Sequence, residues 1–566
     1  MRRRKRLWIL ASVLIVLGLL LAACAPGKEA TPAPSAGTPA ATAIPGAKAT
    51  PAPVSTSAPA VASEPKRGGI LNTAHRRTPS LWDLADTSTI DNTGTVTPAY
   101  NQLFQAKHPD YLEIEGDLVK EWKYSEDGKT LTLKIHPGVV DHKGNPLTAS
   151  DVKFSLERIA NPKLNNSMYF MNTWKSIDVV DDTTVALNLV SAQASLIPRL
   201  SSQYYMITTE KAWKSEDLTK TAVGTGPYFL EDHKPGTSLT YKRNPNYFKK
   251  GLPYLDGITL YAIKDSSTMR SAFLAKRLDI ILIGSSHGFF EEHWQDVEKI
   301  AKGEMTWIKG IHYANRTIKF NLRAKGPWQD VRVRKAINLA MDRQAAEKSM
   351  PLAAVYAAYV PPTGLWNIPV EEFKTMPGWR QPKDQDIAEA KRLMAEAGYP
   401  NGFEMKVLIR DTEDFREYHG PFVAFELESK LGIKSKLDVQ ESAVWTDTLR
   451  DHKFDVEYGV GFAIAIDDPD MAFQREVSYS DMNDTGYNNP EFDRLYEQQQ
   501  VSLDPSKRKE IALKMSRILL QDLSHVDVWH ATRTGGWWNY VKSPPVEKNS
   551  GQYSQARRLE YTWLER

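Results

Sequence analysis

Cysteine is almost missing from this chain: there is one in 566 residues, Cys24. A disulfide framework and a cysteine-based zinc cluster are thereby ruled out, and the fold must be held by its own core. Long apolar runs are equally scarce. Only 7–23 (LWILASVLIVLGLLLAA) comes near the roughly 20 residues of a spanning helix, which argues against a polytopic membrane protein. An excess of one charge is also lacking. Five of the 72 basic residues precede Leu7, so the rest of the chain carries 67 against 69 acidic residues, a formal −2 that gives a nucleic-acid partner no support. No G-x-S-x-G, Walker G-x-x-x-x-G-K-[ST] or H-E-x-x-H is present, so no motif proposes an enzyme. What is present is 41% hydrophobic and 10% aromatic content, enough for several packed domains.

Arg2 to Arg6 are all basic, the apolar run follows, and Cys24 comes directly after it. That order is the n-region and h-region of an export signal over residues 1–23. Leu21-Ala22-Ala23-Cys24 resembles the bacterial lipobox, which implies cleavage before Cys24 and a diacylglycerol on its thiol. An uncleaved anchor with an incidental cysteine is the other reading. Both tether the chain outside the cytoplasmic membrane. Residues 25–64 contain 13 Ala, 8 Pro, 5 Thr, 4 Ser and 3 Gly and no aromatic residue to seed a core. A disordered linker over 24–64 is expected, with an r.m.s. span of roughly 35 Å.

Beyond it, short strands alternate with amphipathic helices. KTLTLKI (Lys129–Ile135) and TTVALNL (Thr183–Leu189) place Leu131, Leu133, Ile135 and Val185, Leu187, Leu189 on single faces, as half-buried strands do. Thr148 is expected to cap a helix with Asp151 three residues on, and Val152, Leu156 and Ile159 then share a face. Further helices are predicted at Ser266–Arg277, Val331–Asp342, Asp386–Ala397, Ser442–Leu449 and Ser506–Leu523. Further strands are predicted at Ser238–Lys242, Gly257–Ile263, Leu278–Ile283, Glu404–Ile409 and Phe454–Val460. This is α/β order without a fixed repeat, and a body of about 500 residues should divide into lobes with a cleft between them.

Chemistry-bearing patterns are sparse. The pairs His136/His142, His287/His293 and His525/His530 lack metal-ligand spacing, and solvated or hydrogen-bonded histidines are the reading preferred. Asp467-Asp468-Pro469-Asp470 lacks the glycine and closing glutamate of a calcium loop, and a turn capping a strand is expected there instead. Gly224-Thr225-Gly226 followed by Pro227 suits a tight turn rather than a dinucleotide loop. Fourteen of the 15 tryptophans follow the signal, and two or three are expected to line a pocket.

Gly116–Arg158, Val223–Phe248, Phe320–Arg343, Ile387–Phe403 and Asn489–Gln521 together resemble, in order, the family 5 extracellular solute-binding proteins of ABC importers. This is the dipeptide- and oligopeptide-binding group. The resemblance implies an α/β fold of two lobes, a hinged periplasmic-binding-protein-like clamp of type II with an extra inserted domain. Mapped here it gives lobe I as 65–92, 205–310 and 529–566, the inserted domain as 93–204, and lobe II as 311–528. It further implies a monomer without catalysis or cofactor, which hands a peptide or peptide-like solute to an ABC permease and its ATPase subunits. A sensory receptor without transport, or an enzyme reusing the clamp, are the alternatives.

Peptide-binding members hold the ligand ammonium with a carboxylate in a Gly-Trp-x-x-Asp segment followed shortly by proline. Here the segment runs from Gly461 to Pro469. Phe462 falls in the tryptophan slot and Ala465 in the aspartate slot, which puts free-amino peptides in doubt and favours a modified peptide, an opine-like compound or a glycoside. Asp467 replaces the anchor if the loop shifts by two residues, with Asp468 beside it. Arg410 stands near the position of an arginine for a ligand carboxylate, with a surface ion pair as the other reading, and Trp366, Trp445 and Tyr100 are further contact candidates.

Overall fold

Period-two alternation becomes strand and 3.6-residue spacing becomes helix, with ends moved by one to three residues. In the computed structural model the residues described are 64–566, except 80–81, 83–84, 86–89, 109–112, 162, 165–173, 217–220, 283–290, 350–352, 355–357, 361–364, 413, 464–466 and 545–557. The export signal, Cys24, nearly all of the linker, His287 and Ala465 lie outside them.

The two alternating segments form strands Thr130–Ile135 and Thr184–Leu189, with every second residue buried. They pair antiparallel inside a four-stranded sheet that also holds Val119–Tyr124 and Trp174–Asp181. The helix Ala149–Ile159 lays Val152, Leu156 and Ile159 into the same core as Leu131 and Val185. Asp151 Oδ2 accepts the Thr148 amide at 2.8 Å, the reciprocal half of the predicted cap.

Among the described residues the main sheet has eleven strands. Ten follow one path: Lys434–Gln440, Glu404–Arg410, Val456–Ala463, Met305–Phe320, His525–Trp538, Ile280–Ile281, Ile70–His75, Gly257–Ala262, Ser238–Arg243 and Tyr228–Lys234. Ala353–Ala354 pairs beside His525–Trp538. The two long central strands run through the whole sheet. Met305 opposes Trp538 at one end and Lys319 opposes His525 at the other. Midway the register breaks: Ile311 opposes Thr532 and Asn315 opposes His530, so three residues of one strand face one of its partner. Such bulges bend a strand and loosen its ladder.

Separate cores flank the two halves. Around the Val456–Ala463 half, Val333, Ile337 and Ala340 of helix Val331–Ala340 pack with Ile318, Val407 and Val526. Around the other half, Leu71, Tyr241, Ile258 and Ile280 share a core. This mixed α/β architecture, in which two long strands join the halves, is that of the two-lobed hinged clamp.

Three boundaries differ for identifiable reasons. Of the predicted strand Leu278–Ile283, whose last residue lies outside the described ones, Ile280–Ile281 is strand; it starts late because Asp279 Oδ2 takes the Asn72 amide at 2.7 Å in place of a ladder bond. Helix Ser266–Leu274 stops early, before Lys276 turns left-handed at φ 55°. The strand expected from Phe454 starts at Val456, since Asn321 Nδ2 holds the Phe454 carbonyl at 2.7 Å, and it runs on to Ala463 opposite Ala314. Gly226 lies so close to the chain that a Cβ would stand 2.3 Å from the Ala99 carbonyl carbon, which is why the Gly224–Gly226 turn tolerates no side chain there. Among the described residues no helix is long and apolar enough to cross a membrane.

Candidate functional site

Strand Val456–Ala463 ends beside the register break, opposite Ala314, and the chain beyond it reaches Asp467. The Asp467 carboxylate accepts the Leu365 amide on Oδ2 at 2.9 Å, and its carbonyl accepts the Trp366 indole N–H at 3.1 Å. Oδ1 is buried with no hydrogen-bond partner among the described residues. Burial, with the Asp468 charge adding to it, pushes the Asp467 carboxyl up to about 6. An acceptor with an empty lone pair inside the molecule is the feature expected of a group awaiting a ligand.

Asp468 points elsewhere. Both its oxygens are held by Arg508, at 2.7 Å each, and it caps helix Pro469–Phe473 by accepting the Asp470 amide at 2.9 Å. The expected strand-capping turn is therefore a helix cap. The Arg508 guanidinium also sits 5.2 Å from the Trp366 ring centroid, so Trp366, Asp467 and Asp468 form one cluster with Arg508 as its keystone.

Arg410 and Trp445 form a second pair. Arg410 ends its strand with Nε donating to Ser442 Oγ at 2.8 Å, and its guanidinium lies 5.5 Å from the Trp445 centroid. The Trp445 indole N–H is buried without a partner among the described residues. Tyr100 is placed apart from both, 2% exposed in the core with Leu71 and Tyr241 beneath the Gly224–Gly226 turn. Phe462 lies within strand Val456–Ala463, but its side chain is outside what is described, as are Ala465 and Cys24. A cavity of about 320 Å³, lined by Leu408, Asp438, His452 and Phe454 among others, includes none of these candidates.

The pair His525/His530 lies in the buried centre of the sheet. His525 stands 3.1 Å from Glu476 and 3.5 Å from Asp527. Burial would lower it, but the two carboxylates overrule burial and hold it near 9, so it is a buried cation. Burial keeps His530 near 4 and neutral. Among the described residues no group of three or more potential ligands is placed to hold a metal ion.

Sequence reasoning missed Arg508, Arg199 and Asp470. Arg508 sits in the run Ser506-Lys507-Arg508-Lys509, which looks like a solvated helix face; only Asp-Pro at 468–469, a helix-start signal, hinted that Asp468 was a cap. It also missed an aromatic group beside the register break: Arg316 lies 5.1 Å from the Phe415 centroid, and His419 meets Trp529 edge-on at 4.8 Å.

Comparison with known proteins bears on the family and the fold. A model of bacterial extracellular solute-binding proteins, family 5 (middle region), matches residues 113–484. Heme-binding protein A of Haemophilus influenzae is 27% identical over 461 residues, 75% of this chain and 80% of that protein. Oligopeptide-binding protein OppA of Bacillus subtilis is 27% identical over 458 residues, again 75% and 80%. Among solved structures, the ABC transporter-associated periplasmic binding protein DppA of Helicobacter pylori, in complex with the peptide STSA, superposes with a TM-score of 0.70 at 22% identity, covering 88% of this chain and 99% of that one.

Proposed function

From a chain that belongs to the family 5 bacterial extracellular solute-binding proteins of ABC importers, we propose a membrane-tethered receptor that captures a peptide-like solute between two lobes and presents it to a permease. Lobe I comprises 65–92, 205–310 and 529–566 with 93–204 inserted, and lobe II comprises 311–528. The lobes meet through Met305–Phe320 and His525–Trp538, and the register break between Ile311 and Asn315 supports placing the hinge there. Residues 1–23 are the signal and 24–64 the leash. Cys24 carries the lipid: Cys24→Ser should release the chain from the membrane fraction, and mass spectrometry of the wild-type N-terminus should find a diacylglyceryl cysteine there.

The observation that carries the ligand reading is the open Oδ1 of Asp467. Oδ2 is committed to Leu365, so one acceptor remains for the solute. That suits an amide N–H, a hydroxyl or a substituted ammonium better than a primary ammonium, whose three donors would be left mostly unpaired. Arg410, Trp445, Trp366 and Phe462 complete the proposed lining, Arg410 through guanidinium donors not committed to Ser442, while Asp468 supports it from behind through Arg508; Tyr100 is a separate candidate, in the core beneath the Gly224–Gly226 turn. The solute is a modified or N-blocked peptide, an opine-like compound or a glycoside. Calorimetry against a peptide library with free and N-acetylated termini tests this. Blocked peptides should bind at least as well as free ones; tight binding of free-amino peptides that vanishes in Asp467→Ala would overturn it.

A further inference from the structure

Two hydrophobic cores meet at a buried charge pair. Leu196, Leu200 and Tyr204 belong to the core of the four-stranded sheet, with Leu131 and Val185. Ala472, Phe473, Tyr496 and Ala512 belong to another. Between them Arg199 Nη2 donates to Asp470 Oδ2, with Arg199 6% and Asp470 0% exposed. Ser195 Oγ donates to the same oxygen at 2.8 Å, while Gln500 and Gln499 fill Oδ1 at 2.9 and 3.2 Å. One backbone bond crosses with them, from the Ala194 amide to the Gln500 carbonyl at 2.7 Å. Leu503 closes the edge, since a Cβ on Gly128 would stand 3.2 Å from its Cδ1.

Among the described residues no ion pair joins Asp470 to a cation of its own side. Arg508, the nearest, spends both terminal nitrogens on Asp468. Burial would raise the Asp470 carboxyl, and Arg199 overrules it. Two cations, one from each side, thus hold Asp468 and Asp470 at the start of helix Pro469–Phe473, and Asp467 directly precedes that cap.

We propose that Arg199–Asp470 is a latch between the lobes, made on closure, which positions the Asp467 carboxylate as the clamp shuts. The proposal rests on the clamp reading above. When the clamp opens, both charges return to water, where each is well solvated. Removing one partner therefore strands a buried charge only in the closed form, so the cost falls on the open-to-closed equilibrium. A pair internal to one domain would act on unfolding instead.

The test uses the full chain carrying Cys24→Ser, with spin labels on Glu157→Cys of helix Ala149–Ile159 and Lys391→Cys of helix Asp384–Glu396, both exposed positions. Pulsed electron–electron resonance without solute reads the interlobe distance distribution. Arg199→Met should move it to longer distances, with the closed-to-open ratio falling about tenfold or more, while far-UV circular dichroism and the melting temperature hold. Arg199→Lys should fall between, and Arg199→Met with Asp470→Asn should shift no further than Arg199→Met alone. An unchanged distribution overturns the latch. So does unfolding of Arg199→Met, which would make the pair a folding contact. Because no solute is present, failure of the peptide-like ligand reading leaves this result intact.

Discussion

Asp467 is the residue at which charge and environment conflict most. Its carboxyl stands near 6 against an ordinary 3.8, with burial as the cause. The folded chain therefore binds that proton more tightly than the unfolded one, and the group's contribution to stability falls as pH rises from about 4 to about 6. Asp467→Asn removes this penalty. It should stabilise the chain at pH 7 by about 1–2 kcal/mol, discounted because the carboxylate keeps some exposure, and leave stability at pH 3 unchanged, as read by urea unfolding at both values. A solute held by the ionised carboxylate should bind more weakly as pH falls through about 6 in the wild type, and the variant should lose that pH dependence.

At the scale of elements, Asp151 joins two helices. Oδ2 takes the Thr148 amide at the start of Ala149–Ile159, and Oδ1 takes the Glu210 amide at the start of Glu210–Ser215, both at 2.8 Å. Each bond satisfies an orphan N–H of a first turn. Asp151→Ala leaves both without a partner and should cost about 1–3 kcal/mol, measured as a drop in the denaturation midpoint with an unchanged slope. The long strands show the opposite treatment of backbone groups. Their ladder is interrupted where three residues face one, and such an interruption is what the proposed hinge requires.

For the molecule as a whole, the C-terminal segment acts as a strap. Arg558, 1% exposed, reaches Asp117 across 441 residues, and Glu560 meets Lys249 at 3.2 Å. Burial alone would raise Asp117, but Arg558 and Lys249 overrule it and hold the carboxyl near 2. A depressed carboxyl contributes stability that is present above about 4 and is lost as pH falls towards 2. Arg558→Met should cost about 3–5 kcal/mol at neutral pH, because Asp117 remains buried with Lys249 at 2.7 Å as its one cation and the neutral Asn101 and Gln102 amides as its other partners among the described residues. Acid titration followed by circular dichroism should show the variant unfolding at a higher pH than the wild type.

Local chemistry was enough to place what depends on neighbours in sequence. The alternation of Leu131, Leu133 and Ile135, the Thr148–Asp151 cap and the inward stripe of Val333, Ile337 and Ala340 each lie within one strand or two turns of one helix, so spacing alone specifies them. The long ordered blocks from Gly116 to Gln521 specified the family and with it the clamp. Only tertiary structure decided which charges are spent and which are open. Asp467 and Asp468 are adjacent and identical in type, yet Asp468 meets Arg508 from 40 residues away while Asp467 keeps one oxygen unpartnered among the described residues. Arg199 looks like a surface residue of a short helix until Asp470 arrives from 271 residues away. Pairing over such separations depends on how the cores stack, and the energy of a charge depends on its burial and its partner, neither of which is a property of the neighbouring letters.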